Sequence, residues 1–186
     1  MRIHEGSKKT LDLVVGRFGV EGQRNYHTFV RLSEESDTYV ANNFMGISLY
    51  KDPKDFRNNE VARIQKDSLV EVSFNYPDSA FSIIKEQSGK WISNGVEADS
   101  ASVQSFLNSL SFLNSTSFSE GEGLATPTLN VTFGFKSEPE IQLSAFQVAE
   151  GSFVISSSEN GDEYFQDTAL FEKVFKSPSD LLSPGE

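Results

Sequence analysis

The sequence predicts an α+β fold: antiparallel sheets with helices on one face, arranged as three repeated strand–strand–strand–helix units. Three observations carry this. Short segments of alternating apolar residues recur along the chain, the period of a half-buried strand. Two stretches carry apolar residues at the 3.6-residue period of a helix. The third is composition: 37% hydrophobic residues and 16 Phe in 186 residues, enough to fill a core.

The first strand of each unit is the clearest element. Leu11–Gly19 (LDLVVGRFG), Val70–Asp78 (VEVSFNYPD) and Leu129–Ser137 (LNVTFGFKS) begin 59 residues apart. Leu11, Leu13 and Val15 match Val70, Val72 and Phe74, and then Leu129, Val131 and Phe133. Second strands follow at Tyr26–Leu32, Ala80–Glu86 and Ile141–Gln147, each after a segment rich in turn residues. Third strands are short and carry an aromatic near the start: Tyr39, Trp91 and Phe153. That correspondence assigns Trp91 a packing role rather than a place on a ligand face.

A helix closes each unit. Asp99–Leu113 places Val103, Phe106, Leu107, Leu110 and Leu113 on one face, with Asp99 or Ser100 as N-cap. Thr168–Lys176 follows Asp167 as cap, buries Leu170, Phe171, Val174 and Phe175, and stops before Pro178. The first-unit helix, near Asn43–Tyr50, contains Gly46, which costs about 1 kcal/mol relative to alanine. The units divide the chain into 1–66, with a polar connector Asp52–Lys66; 67–120; and 121–186. Pro53 suits the first turn of a short helix, and Val61 and Ile64 a helical turn or strand. Ser115–Thr126 reads as a linker and Ser177–Glu186 as a fraying tail.

Composition excludes several function classes. There is no cysteine, so there is neither a disulfide nor a thiolate metal site. The net charge of −11, with Lys and Arg scattered, lacks the basic patch that neutralises nucleic-acid phosphates and disfavours docking on anionic lipid. No apolar run approaches the roughly 20 residues of a membrane-spanning helix. Met1–Lys9 has no apolar signal core.

No catalytic, cofactor-binding or metal-binding residue emerges from the motifs. His4 and His27 have no third ligand at metal-binding spacing and read as surface histidines. Gly16–Gly19–Gly22 is followed by a strand, not by the helix a phosphate loop opens; a bulge and a hairpin loop fit better. Ser156–Ser157–Ser158 lacks a nucleophile elbow and reads as a turn. Asn160–Glu163 is not a complete calcium loop, and Asp162 and Glu163 read as charges at a helix N-terminus.

Arg57–Val61 (RNNEV), Leu69–Phe74 (LVEVSF), Lys90–Gly95 (KWISNG) and Ser102–Leu113 (SVQSFLNSLSFL), with Leu13–Gly16 and Thr28–Leu32, resemble the bacterial domain of unknown function 4340 family. The resemblance covers residues 2–119 most closely. It implies an extracytoplasmic, cell-envelope domain, near ABC-transporter components of gliding motility or export, whose natural chain continues upstream of Arg2 into an apolar anchor. The alternative is a cytoplasmic protein. Together with the missing catalytic motifs it implies a non-catalytic binding or scaffold domain with a protein partner. The alternatives are a carrier of a small apolar or glycan ligand, or a hydrolase with an unrecognised site.

Overall fold

The structure is a computed structural model and describes residues 1–22, 25–42, 45 and 51–182. The chain divides into two compact units, Met1–Arg57 and Asn58–Glu186.

The first unit is an antiparallel sheet in the order β1-β2-β3-β4: β1 (Arg2–Glu5), β2 (Lys8–Glu21), β3 (Asn25–Leu32) and β4 (Tyr39–Asn42). Alternation in β2 and β3 puts Leu13 opposite Leu32, Val15 opposite Val30 and Val20 opposite Tyr26 on one face. The register shifts between Val15 and Phe18, so one extra residue of β2 sits beside Gly16. A Cβ at Gly19 would overlap the His27 ring, and Gly22 turns out of the strand at φ +67°. The glycine trio thus serves a bulge and a hairpin. Buried Thr28 accepts the Met45 amide on its hydroxyl at 3.1 Å. The helix expected at Asn43–Tyr50 otherwise lies outside the described residues. Pro53–Phe56 forms a 3-10 turn with Asp52 and Asp55 in a capping box, the short helix that Pro53 predicts.

The second unit holds β5 (Glu60–Ala62), β6 (Leu69–Asn75), β7 (Ala80–Lys85), β8 (Trp91–Ser93) and β9 (Val96–Glu97), then α1 (Ser100–Ser109). There follow β10 (Leu113–Asn114), β11 (Phe118–Ser119), β12 (Leu129–Phe135), β13 (Ile141–Ala149), β14 (Ser152–Ser157) and β15 (Asn160–Phe165), then α2 (Thr168–Val174) and α3 (Pro178–Leu181). Nine strands make one antiparallel sheet in the order β11-β15-β14-β13-β12-β6-β7-β8-β9, and β5 pairs with β10 apart from it. The sheet is joined at its middle by β6 and β12, with Ser73 opposite Thr132.

One face of this sheet is apolar and covered. Val72, Phe74, Val131, Phe133 and Leu143 are all essentially buried. Phe106 of α1 lies 6.0 Å from Phe74, and Phe171 of α2 stacks on Phe153 at 4.2 Å, so both helices pack on this face, as expected. The opposite face carries Glu71, Ser73, Asn130, Thr132 and Ser144, where Ser73 donates to Glu71 and Ser144 to Asn130; it is the wet face that strand alternation predicts.

The structure departs from the sequence expectations in four places. Asp162 and Glu163 lie in strand β15, not at a helix start, because the Ser158–Glu159 turn sends the chain straight back along β14. The helix expected to reach Leu113 ends at Ser109, since Leu113 is taken by pairing with Ala62 of β5. Residues 115–126 are more than a linker: β11 pairs with β15, and Ser115 is buried. The tail does not fray through residue 182: Ser177 and Asp180 form a capping box, and Leu181 is 1% exposed.

Asp167 shows how that linker is tied down. Its carboxylate accepts Ser115 Oγ at 2.7 Å and the Leu170 amide at 3.1 Å. The Ser115 hydrogen bond chiefly, with the helix amides, holds its carboxyl below the usual carboxylate range. A carboxyl depressed in the folded state stabilises above its unfolded pKa of about 4, and that contribution fades as pH falls through the lower folded value. Asp167→Ala should therefore cost about 1 kcal/mol near neutral pH and less at pH 3. Urea melts at the two pH values check this; a loss that grows on acidification would contradict it.

Candidate functional site

The residues singled out by sequence motifs do not assemble into one centre. His4 is exposed on β1, and His27 on β3 packs edge-on against Phe29 at 5.2 Å. Ser157 Oγ accepts the Glu159 amide and Ser158 Oγ the Gln142 amide, the hydrogen bonds of a strand end and its turn. Among the described residues no three His, Asp or Glu side chains gather as a metal-ion group.

Two features stand out instead, one in each unit. In the first unit, β1 pairs with β2 only over Lys8–Asp12. Backbone bonds between Met1 and Leu13, 2.6 and 2.8 Å long, close that ladder. Along Val14–Arg17 and Gly19–Glu21 the outward edge of β2 has no strand partner among the described residues. A row of backbone N–H and C=O groups there faces outward. Side chains along it include Phe18, 53% exposed, and Val20, 50% exposed. The sequence alternation placed a strand at Leu11–Gly19, and the lengths of 14 residues for β2 against four for β1 come from the structure.

In the second unit a cavity of about 440 Å³ opens between the β7–β8 hairpin and α1. Its apolar lining is Trp91, Ala98, Val103 and Leu107. Its polar lining includes Lys66, Lys85, Lys90, Glu97 and Gln104. Lys90 is neutralised by Glu97 at 2.7 Å, and Lys66 donates to Asn108 at 3.1 Å. Trp91 is half-buried and packs against the core while also lining this cavity.

The aromatic correspondence read from the sequence does not carry into the ladder. Tyr39 faces Val30, Trp91 faces Lys85 and Phe153 faces Gln147. Lys85 follows Ile84, the partner of Glu71. Ile155 faces Ala145, the partner of Leu129, which stands 59 residues after Val70. Counted along the ladders, Trp91 falls level with Ile155 rather than with Phe153, and Gly89 lies in the β7–β8 turn outside the ladder. Sequence alignment on the aromatic ring could not see this, because the β7–β8 hairpin turns earlier than its counterpart.

Antiparallel sheets with a few short helices define an α+β protein. Among the described residues no helix is long and apolar enough to cross a membrane. The chain belongs to the family described as Domain of unknown function (DUF4340), which it matches over residues 4–138. That span takes in the described first unit from β1 onward and the second unit as far as the β12–β13 turn. No curated protein and no solved structure matches the chain.

Proposed function

We propose that this chain is a non-catalytic binding or scaffold domain that adds a partner protein's extended segment to the open edge of β2, as part of an extracytoplasmic cell-envelope complex. The observation that carries the reading is the edge itself. In the second unit the strands at the same 59-residue spacing, β6 and β12, use this edge to pair with each other, and the pair at their centre, Ser73 and Thr132, stands at that same offset. In the first unit the edge beyond Leu13 is left for another strand. Three copies of one strand–strand–strand–helix unit are part of the proposal, and so is the envelope location, which rests on the family resemblance. Main-chain hydrogen bonds would supply affinity, and Phe18 and Val20 would supply side-chain selection. The cavity beside Trp91 supports a second reading, a carrier of a small ligand.

The edge is tested by site-specific photocrosslinking in cells that express the full-length protein. Leu13 bonds outward to Met1, so the alternate residue Val15 also presents its N–H outward. A photoreactive group at Val20 should capture one protein through an extended segment, and Val15→Pro should abolish the capture, because an edge proline removes an outward donor. Phe18→Lys should weaken it by a different route. Capture that is unchanged in both variants, or equal from a probe at Glu122 in the second unit, would reject the strand-addition reading.

A further inference from the structure

The cavity beside Trp91 lies between the β7–β8 hairpin and α1, and the segment β6–α1 has no counterpart there of three aromatic rings that pack together around β14 and α2. There, Phe153, Phe171 and Phe175 stack in series, with ring centres 4.2 and 4.9 Å apart. The helix caps set the correspondence: Phe171 and Phe175 stand four and eight residues after Asp167, and Val103 and Leu107 stand four and eight after Asp99. Phe153 lies two residues before Ile155, and Gly89 two before Trp91. Gly89, Val103 and Leu107 all line the cavity. On this count a glycine in the turn, a valine and a leucine stand where the other segment has three phenylalanines. Large-to-small differences leave space unless the surroundings collapse, and here about 440 Å³ stays open. Gly89 is in the left-handed region at φ +87°, with open space where a Cβ would be, so the short hairpin cannot refill it.

We propose that this cavity binds an acidic sugar residue, a pyranose carrying a carboxylate. This rests on the carrier reading and is independent of the β2 edge. The indole offers an apolar flat surface, and Val103 and Leu107 extend it, which suits the less polar face of a sugar ring. The rest of the lining is hydroxyl, amide and charge: Ser88, Ser100, Gln104, Asp67 and Glu97. Such groups recognise ring hydroxyls by hydrogen bonds, which an all-apolar ligand could not offer. The carboxylate follows from Lys85. It is half-buried in the cavity lining and, among the described residues, has no carboxylate in ion-pair contact, unlike Lys90 beside Glu97. An ammonium without an ion-pair partner in a cavity lining suits an anionic ligand. The overall charge of −11 repels anions at long range, but that repulsion is screened beyond about 8 Å at physiological ionic strength.

Trp91 is the sole tryptophan, so its fluorescence reports directly on the cavity. The purified chain is titrated with galacturonate and a short galacturonate oligomer, and in parallel with glucose and benzoate. The expected result is a saturable change in emission with the acidic sugars that glucose reproduces only at about tenfold higher concentration. Lys85→Met should weaken the acidic sugars about tenfold, the effect of losing one charged hydrogen bond, and leave glucose unchanged. Val103→Phe, which restores a ring of the three-ring stack, should remove all binding without lowering the melting temperature. If that variant fails to fold, Lys85→Met still decides. Benzoate binding as well as galacturonate, equal binding of glucose and galacturonate, or no saturable signal from any of them would overturn the proposal.

Discussion

Phe106→Ala should destabilise the protein by about 3–5 kcal/mol, while its neighbour Ser105→Ala changes stability by less than about 0.5 kcal/mol. The two residues are adjacent in sequence and opposite in environment. Phe106 is 3% exposed, on the face of α1 that meets the sheet, and Ser105 is exposed. The Phe106 ring lies 6.0 Å from Phe74, which in turn stacks on Phe81 at 4.4 Å. Removing it takes away a large apolar side chain and leaves a void between helix and sheet that neither can close without moving the other. Urea unfolding followed by Trp91 fluorescence is the measurement, because that residue reports on the same unit. Equal shifts for the two variants would mean that α1 does not bury this face.

Leu181→Ala should cost about 2–5 kcal/mol, a large effect from a residue five positions before the end of the sequence. Leu181 is buried, and its carbonyl accepts the Asp99 amide at 2.9 Å, just at the cap of α1. The Tyr76 hydroxyl donates to the Lys176 carbonyl at 3.0 Å. Burial pushes the Tyr76 hydroxyl well up from its ordinary value, so it stays a protonated donor across the neutral range. Ser179→Ala, exposed on the same short helix, is the control and should be near neutral. The check is the urea midpoint of each variant. If Leu181→Ala falls within the scatter of the control, the segment does not dock.

These two positions also mark the difference between what was legible and what was not. Phe106 was legible because its neighbours Val103, Leu107 and Leu110 recur at helical spacing, and periodicity is a local property of the chain. Leu181 was not. Two prolines and few apolar neighbours surround it, and nothing nearby records the groove that receives it. Ala62 was not legible either, fully buried in a stretch that reads as a polar connector, where only Val61 and Ile64 suggested a turn or strand. Trp91 was singled out by its rarity, but the sequence aligned it with Phe153. Only the ladder register put it level with Ile155 instead.

By itself the sequence determined the α+β class, the strands β2, β3, β6, β7, β12 and β13, the Asp167 cap and a cap at Asp99 or Ser100, the bulge and turn roles of Gly16, Gly19 and Gly22, and the family. Each of these is written in a few consecutive residues, as a period of two, a period of 3.6, or a residue type that only one backbone conformation favours. The tertiary structure alone decided the additional strands β9 and β15, the β5–β10 pair, the docking of α3, the open edge of β2 and the cavity beside Trp91. Those depend on which distant segments meet, and hydrogen-bond register and side-chain volume are settled between partners 50 to 100 residues apart, where no local pattern can record them.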